Sequence, residues 1–181
     1  MTPWTIPLTP QMAQAAADVQ AALPRIVTDR LVLRAPVLAD FPAYAAILTS
    51  DRAVHMDGPL TEEEAWDDFC RLTAIWVLRG HGLWTVEAEG RLVGFVLIGL
   101  EPGDLEPELG WFLTADAEGL GYATEAARAA REHGFATLGL STLVSYIVPD
   151  NTASARVAQR LGARADGTVD GSTVWRHGGP A

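Results

Sequence analysis

Two glycines one residue apart, Gly119 and Gly121, stand between a strand-like run at Glu108–Leu113 and a helix-forming stretch that starts at Tyr122. That arrangement suits phosphate binding. Amides in the first turn of a helix have no carbonyl partner within it, and the helix dipole adds partial positive charge at the same end. Residues without a Cβ let a ligand approach this main chain closely, so a phosphate can be held without a cationic side chain. The same glycines also fit an ordinary strand-to-helix connection. A dinucleotide-binding turn does not fit the context. Thr124 stands where the third glycine of that motif belongs, and no acidic residue follows about 20 positions on to hold a ribose hydroxyl.

Composition narrows the chemistry further. The 13 cationic residues are all arginine, and a lysine-free chain cannot form a Schiff base, anchor pyridoxal phosphate or build a Walker-type loop. A net charge of −10 argues against a nucleic-acid partner and suits a cationic one such as an amine. His55, His81, His133 and His177 show no spacing of a metal site or catalytic triad. They read as surface or loop residues, and no metal is expected. The single cysteine, Cys70, excludes an intramolecular disulfide. It falls at helical spacing among Trp66, Phe69, Thr73 and Trp76, and is expected to pack in the core rather than act as a nucleophile.

The elements that must position these residues follow from patterning. With 49% apolar and 20% charged residues the chain can bury a full core. No run approaches the roughly 18 to 20 apolar residues that span a bilayer. The start of the chain lacks the basic and apolar segments of a secretory signal, so a cytoplasmic location is expected. Residues 1–24 read as an extension, with prolines bracketing an alanine-rich helix at Gln11–Leu23. Residues 25–181 read as one domain. Its predicted order is a strand at Leu31–Leu33, helices at Asp40–Leu48 and 61–79, and a hairpin of Leu83–Ala88 with Leu92–Leu100 turning at Glu89–Arg91. Then come the Glu108–Leu113 strand, a helix at Tyr122–Leu138, a strand at Leu143–Val148, a helix at Thr152–Leu161 and a closing hairpin. Thr61 with Glu64 forms a capping box at the start of the second helix. The order predicts an α/β fold: one mixed sheet with helices on both faces.

Glu108-Leu-Gly-Trp-Phe-Leu113, followed by Glu118-Gly-Leu-Gly-Tyr-Ala-Thr-Glu-Ala126, resembles the acetyl-CoA-binding motif of the GNAT acetyltransferases. It is most similar to the branch that acetylates ribosomal-protein N-termini. Downstream, Val148-Pro-Asp-Asn-Thr-Ala-Ser154 and Arg156-Val-Ala-Gln-Arg-Leu-Gly162 resemble the family's Asn-x-x-Ser helix. Thr28-Asp-Arg-Leu-Val-Leu-Arg34 is similar to that branch's first strand. The resemblance runs from about residue 26 onward and implies the acyl-CoA N-acyltransferase fold, whose sheet is mostly antiparallel.

It also implies roles. Glu118, Gly119, Leu120, Gly121, Tyr122, Ala123 and Thr124 would form the pyrophosphate loop. Trp111, Phe112 and Leu113 would offer backbone to the pantetheine arm and to the oxyanion. Asn151 and Ser154 would meet that arm near the thioester. Glu118 departs from the Arg or Gln usual at its position, and a carboxylate there opposes a pyrophosphate. Glu108 would be the general base, and Ser154 or Tyr146 the acid for the leaving thiolate. The acceptor pocket would form around His55 and Trp84, with Trp66, Trp76 and Trp111 either lining it or in the core. Arg156 and Arg160 would reach the adenosine phosphates or form a solvated helix face. The expected reaction uses acetyl-CoA as co-substrate and an amine, such as a peptide N-terminus, as acceptor, in a monomer or homodimer. A non-catalytic acyl-CoA sensor, or an acyltransferase with another acyl group or acceptor, is the alternative.

Overall fold

A computed structural model describes residues 1–179; Pro180 and Ala181, the last two positions of the expected 25–181 domain, lie outside the described residues. The elements are α1 (Pro10–Ala21), β1 (Ile26–Val27), β2 (Leu31–Arg34), α2 (Phe41–Leu48), α3 (Glu62–Arg79), β3 (Leu83–Ala88), β4 (Arg91–Gly99) and β5 (Glu108–Leu113). They continue with α4 (Tyr122–Ala136), β6 (Val144–Ile147), α5 (Thr152–Arg160), β7 (Arg164–Val169) and β8 (Ser172–Arg176). Eight strands form one sheet in the order β1-β2-β3-β4-β5-β6-β8-β7. Every neighbouring pair is antiparallel except β5 and β6.

The period-two pattern of the central strands divides their side chains between two cores. Leu31, Leu33, Val86, Ile98, Leu109 and Leu113 pack against Ala126, Ala127 and Ala130 of α4 and Val157 of α5. Leu83, Phe95, Leu97 and Phe112 pack on the other face against Phe41, Tyr44, Phe69 and Leu72 of α2 and α3. Small alanines let α4 lie close to the sheet, which brings its N-terminus to the end of β5. The capping box of α3 forms as expected. Thr61 accepts the Glu64 N–H at 3.2 Å, the Glu64 carboxylate accepts the Thr61 N–H at 2.8 Å, and Gly80 closes the helix at φ +74°.

Three expectations change. β1 is an extra two-residue strand paired with β2. Cys70 is exposed rather than in the core; the buried stripe of α3 is Ala65, Phe69, Leu72 and Trp76, and Cys70 lies about 100° around the helix from Phe69. His81 and His177 are buried rather than on the surface, with the His81 ring nitrogen 2.7 Å from the Ile98 carbonyl. The N-terminal extension is anchored at both ends. Trp4 packs with tilted rings against Phe41 and Trp66, and the Pro24 carbonyl accepts the indole N–H of Trp84 at 2.9 Å.

Candidate active site

The site begins where the sheet comes apart. In β5 and β6, Glu108 pairs with Val144, and the Val144 N–H reaches the Pro107 carbonyl at 3.0 Å. An unbroken parallel ladder would next join the Tyr146 N–H to the Leu109 carbonyl. Instead, the Tyr146 N–H donates to the Glu108 carboxylate at 3.4 Å, and the Leu109 carbonyl accepts the Ser145 hydroxyl at 2.6 Å. Side chains thus satisfy the two backbone groups that the separation would orphan. Beyond this point the strands diverge and a cleft of about 1660 Å³ opens.

Trp111, Phe112 and Leu113 line one wall of the cleft, and Asn151 and Ser154 line the other. Asn151 caps α5, its side-chain oxygen accepting the Ser154 N–H at 3.1 Å, which leaves its NH2 group as the donor available to a ligand. At the far end the cleft meets Glu118, Gly119, Leu120, Gly121, Ala123 and Thr124. Gly119 and Gly121 hold φ of +75° and +83°, values costly for a residue with a Cβ. Space is open around Gly119. The first α4 amide to find a carbonyl is that of Glu125, on Gly121, so those before it have no partner within the helix. This cradle fits a pyrophosphate.

Arginines brace the loop from outside. The Arg30 guanidinium pairs with Glu125 at 2.6 Å, donates to the Leu120 carbonyl at 3.0 Å and lies 5.0 Å over the Tyr122 ring. Tyr122 turns its ring to the core and, unlike its neighbours in the loop, does not line the cleft. Arg52, in a short 3-10 helix at Asp51–His55, pairs with Glu118 and donates to the Leu113 carbonyl at 2.9 Å. The sequence offered no local signal for Arg52, since its partners lie more than 60 residues away.

Glu108 and Tyr146 stand at the base of the separation rather than along the cleft wall. Glu108 shares the strand face of Phe112, toward α2 and α3. It keeps some solvent access, but protein surrounds its carboxyl on nearly every side. Burial pushes its pKa up to about 7; the Tyr146 N–H opposes the shift, and the charges of Asp104, Glu101 and Asp57 add to it. Burial and Asp104 also raise the Tyr146 phenol, against the pull of the Leu105 and Glu106 amides, so it stays protonated at neutral pH. His55 lines the cleft. Trp84 does not. It is fully buried between Trp76 and His133, at ring distances of 4.5 and 5.6 Å, because its strand position faces α4. Trp66 and Trp76 are likewise packing residues. Arg128, Arg156 and Arg160 line the cleft rim, none with a carboxylate partner among the described residues.

The acetyltransferase (GNAT) domain model matches residues 30–164, and the chain belongs to that family. The solved acetyltransferase from Agrobacterium tumefaciens str. C58 superposes with a TM-score of 0.83 and 40% identity, over 87% of this chain and 95% of that one. The uncharacterized N-acetyltransferase YnaD of Bacillus subtilis (strain 168) is 33% identical over 79 residues, 44% of this chain and 46% of YnaD, so the match spans under half of that protein. RimL, a ribosomal L7/L12 α-N-protein acetyltransferase solved with coenzyme A, shares the fold at a TM-score of 0.69 and 19% identity, over 84% of this chain and 96% of that one. The chain is thus a GNAT acetyltransferase. No helix among the described residues is long and apolar enough to cross a membrane.

Proposed function

We propose that this chain moves the acetyl group of acetyl-CoA directly to a primary amine, either a peptide N-terminus or a small amine. The observation that carries the reading is Glu108: a carboxylate whose pKa is pushed up to about 7 by burial, set at the base of the β5–β6 separation from which the cleft opens. A base is most effective when its pKa lies near the working pH, and this one can take an ammonium proton without being permanently charged. Asp57, Asp104 and Glu101 surround it with negative potential that favours a cationic acceptor.

Bound acetyl-CoA supplies the activated acetyl group. Glu108 receives the amine's proton, directly or through water. A backbone N–H of the Trp111–Leu113 segment meets the oxygen as negative charge develops on it. Ser154, in the cleft wall, gives its proton to the leaving thiolate and is restored by the second proton that the nitrogen sheds as the intermediate collapses; Tyr146 is the alternative acid. Gly119, Leu120, Gly121, Ala123 and Thr124 hold the pyrophosphate through main-chain amides, which suits a chain without lysine. Use of coenzyme A by RimL, and of a ribosomal-protein N-terminus as its acceptor, supports this reading of the two substrates. An unpaired Glu118 would oppose a bound pyrophosphate, and Arg52 answers that charge.

Free-thiol release, measured with acetyl-CoA against a panel of amines and peptide N-termini, tests the reading. The expected result is turnover on at least one acceptor class, lost in Glu108→Gln. No release on any acceptor, with no rise in melting temperature at millimolar acetyl-CoA, would sink it.

A further inference from the structure

We propose that Arg52 positions the pyrophosphate of the coenzyme, supplying from the acceptor side of the cleft the cation that Glu118 denies the loop itself; this rests on the acetyl-CoA reading above. Three observations converge on Arg52. It lines the cleft, pairs with Glu118 at the mouth of the glycine loop, and donates at 2.9 Å to the carbonyl of Leu113, the last residue of β5. One guanidinium therefore spans the interval between the strand end and the loop. A guanidinium carries five donors in a planar fork, so it can keep Glu118 while turning a free edge to a phosphate.

The charges require such a residue. Glu118 and Glu125 both stand at the loop in a chain of net charge −10. Glu125 is held by Arg30, which also bonds the Leu120 carbonyl and rests on Tyr122. Arg30 is thereby committed to bracing the loop. Arg52 has no contact other than Glu118 and Leu113 among the described side-chain hydrogen bonds, and both partners lie where a coenzyme would contact the protein. Both bonds come from Nη2, so a ligand N–H that takes the Leu113 carbonyl releases one of them, while Nη1 and Nε, without partners among the described side-chain hydrogen bonds, can turn to the pyrophosphate beside them.

Isothermal titration separates this role from a structural one, with coenzyme A and pantetheine, which lacks the pyrophosphate, as probes. Both partners of the Arg52–Glu118 pair are substantially exposed, and such pairs contribute little to folding, so the variants retain the fold. Arg52→Ala is expected to weaken coenzyme A binding about tenfold or more, the scale of one charge-assisted hydrogen bond. Pantetheine should bind the variant as well as wild type or better, since the Leu113 carbonyl is freed. Glu118→Gln should bind coenzyme A at least as tightly as wild type, and Arg52→Ala/Glu118→Gln should recover part of the loss. Equal weakening of both probes, or coenzyme A binding by Arg52→Ala within twofold of wild type, overturns the proposal while leaving the acetyl-CoA reading intact. Wild type that binds no coenzyme A overturns both.

Discussion

The Glu108 carboxylate accepts the backbone N–H of Tyr146 at 3.4 Å, in the place where the Leu109 carbonyl would stand in an unbroken parallel pair. One side chain thus helps to end the β5–β6 ladder and, on the proposed reading, begins the chemistry. The two uses pull in opposite directions: the N–H favours the charged carboxylate, whereas burial among Asp57, Glu101 and Asp104 disfavours it more strongly.

Glu108→Gln separates them, because a glutamine can still accept the Tyr146 N–H but cannot take a proton. Activity of the wild type should rise with pH through about 7 as Glu108 ionises. The variant should lose that limb, and kcat should fall by about 10²- to 10⁴-fold. Stability should move the other way. The native carboxyl holds its proton at pH values where the unfolded one has lost it, so its contribution is complete below about 4.5 and is lost as pH rises through about 7. Glu108→Gln should therefore melt higher than wild type at pH 8, with the advantage gone at pH 4. An unchanged pH–rate profile in the variant would remove Glu108 as the base.

The Leu109 carbonyl depends on Ser145, whose hydroxyl lies 2.9 Å from His177 Nε2. Since Ser145 donates to Leu109, His177 donates through Nε2–H and is neutral. Burial, with the nearby Arg131 charge, pushes its pKa down to about 4. Ser145→Ala leaves the carbonyl without a partner and should cost about 1–3 kcal/mol in urea unfolding. For His177 the unfolded ring takes a proton below about 6.5 while the native one resists to about 4, so its contribution to stability is lost as pH falls across that window. His177→Gln should flatten the acid side of the stability curve. A Ser145→Ala variant as stable as wild type would show that water replaces the hydroxyl.

The parts of this site that are local in sequence are legible there. The Glu108–Leu113 strand, the Gly119–Gly121 loop and the start of α4 follow from apolar pattern and glycine placement, and the Thr61–Glu64 box marks the start of α3. Failures occur where partners are distant or a face is ambiguous. Trp84 was expected near the acceptor, yet alternation along β3 turns it to the α4 core, and an isolated strand does not reveal which face meets which helix. Cys70 sits one residue from the buried Phe69, and on a helix one residue is enough to leave the stripe. Arg52–Glu118 and Ser145–His177 join residues far apart in the chain, and the hydroxyl of Ser145 is needed at Leu109 because β5 and β6 part.

Gly119→Ala tests the loop conformation itself. At φ +75° a Cβ costs about 1–2 kcal/mol, and since nothing lies within 4 Å of it, that cost is conformational alone. The variant should fold with a slightly lowered melting temperature and bind coenzyme A distinctly more weakly, because the methyl also stands where a phosphate would approach. Coenzyme A affinity equal to wild type would move the phosphate site away from this loop.

Asp40 is not among the residues that line the cleft, and its removal should be costly without touching the chemistry. Only 4% exposed, it takes a two-pronged contact from Arg34 at 2.7 and 2.8 Å, the Val37 N–H at 2.9 Å and the Thr85 hydroxyl at 2.7 Å. Glu87 holds the other edge of the Arg34 guanidinium at 2.8 Å, so β2, β3 and the entry to α2 share one network. Asp40→Ala strips Arg34 and Thr85 of an acceptor in a buried setting, for which about 3–5 kcal/mol is the usual scale. Double substitution with Thr85→Val should cost less than the sum of the two single losses, because Asp40 is the shared partner. Denaturant unfolding of the four proteins measures this directly. Additive losses would mean that Asp40 and Thr85 act independently despite their 2.7 Å contact.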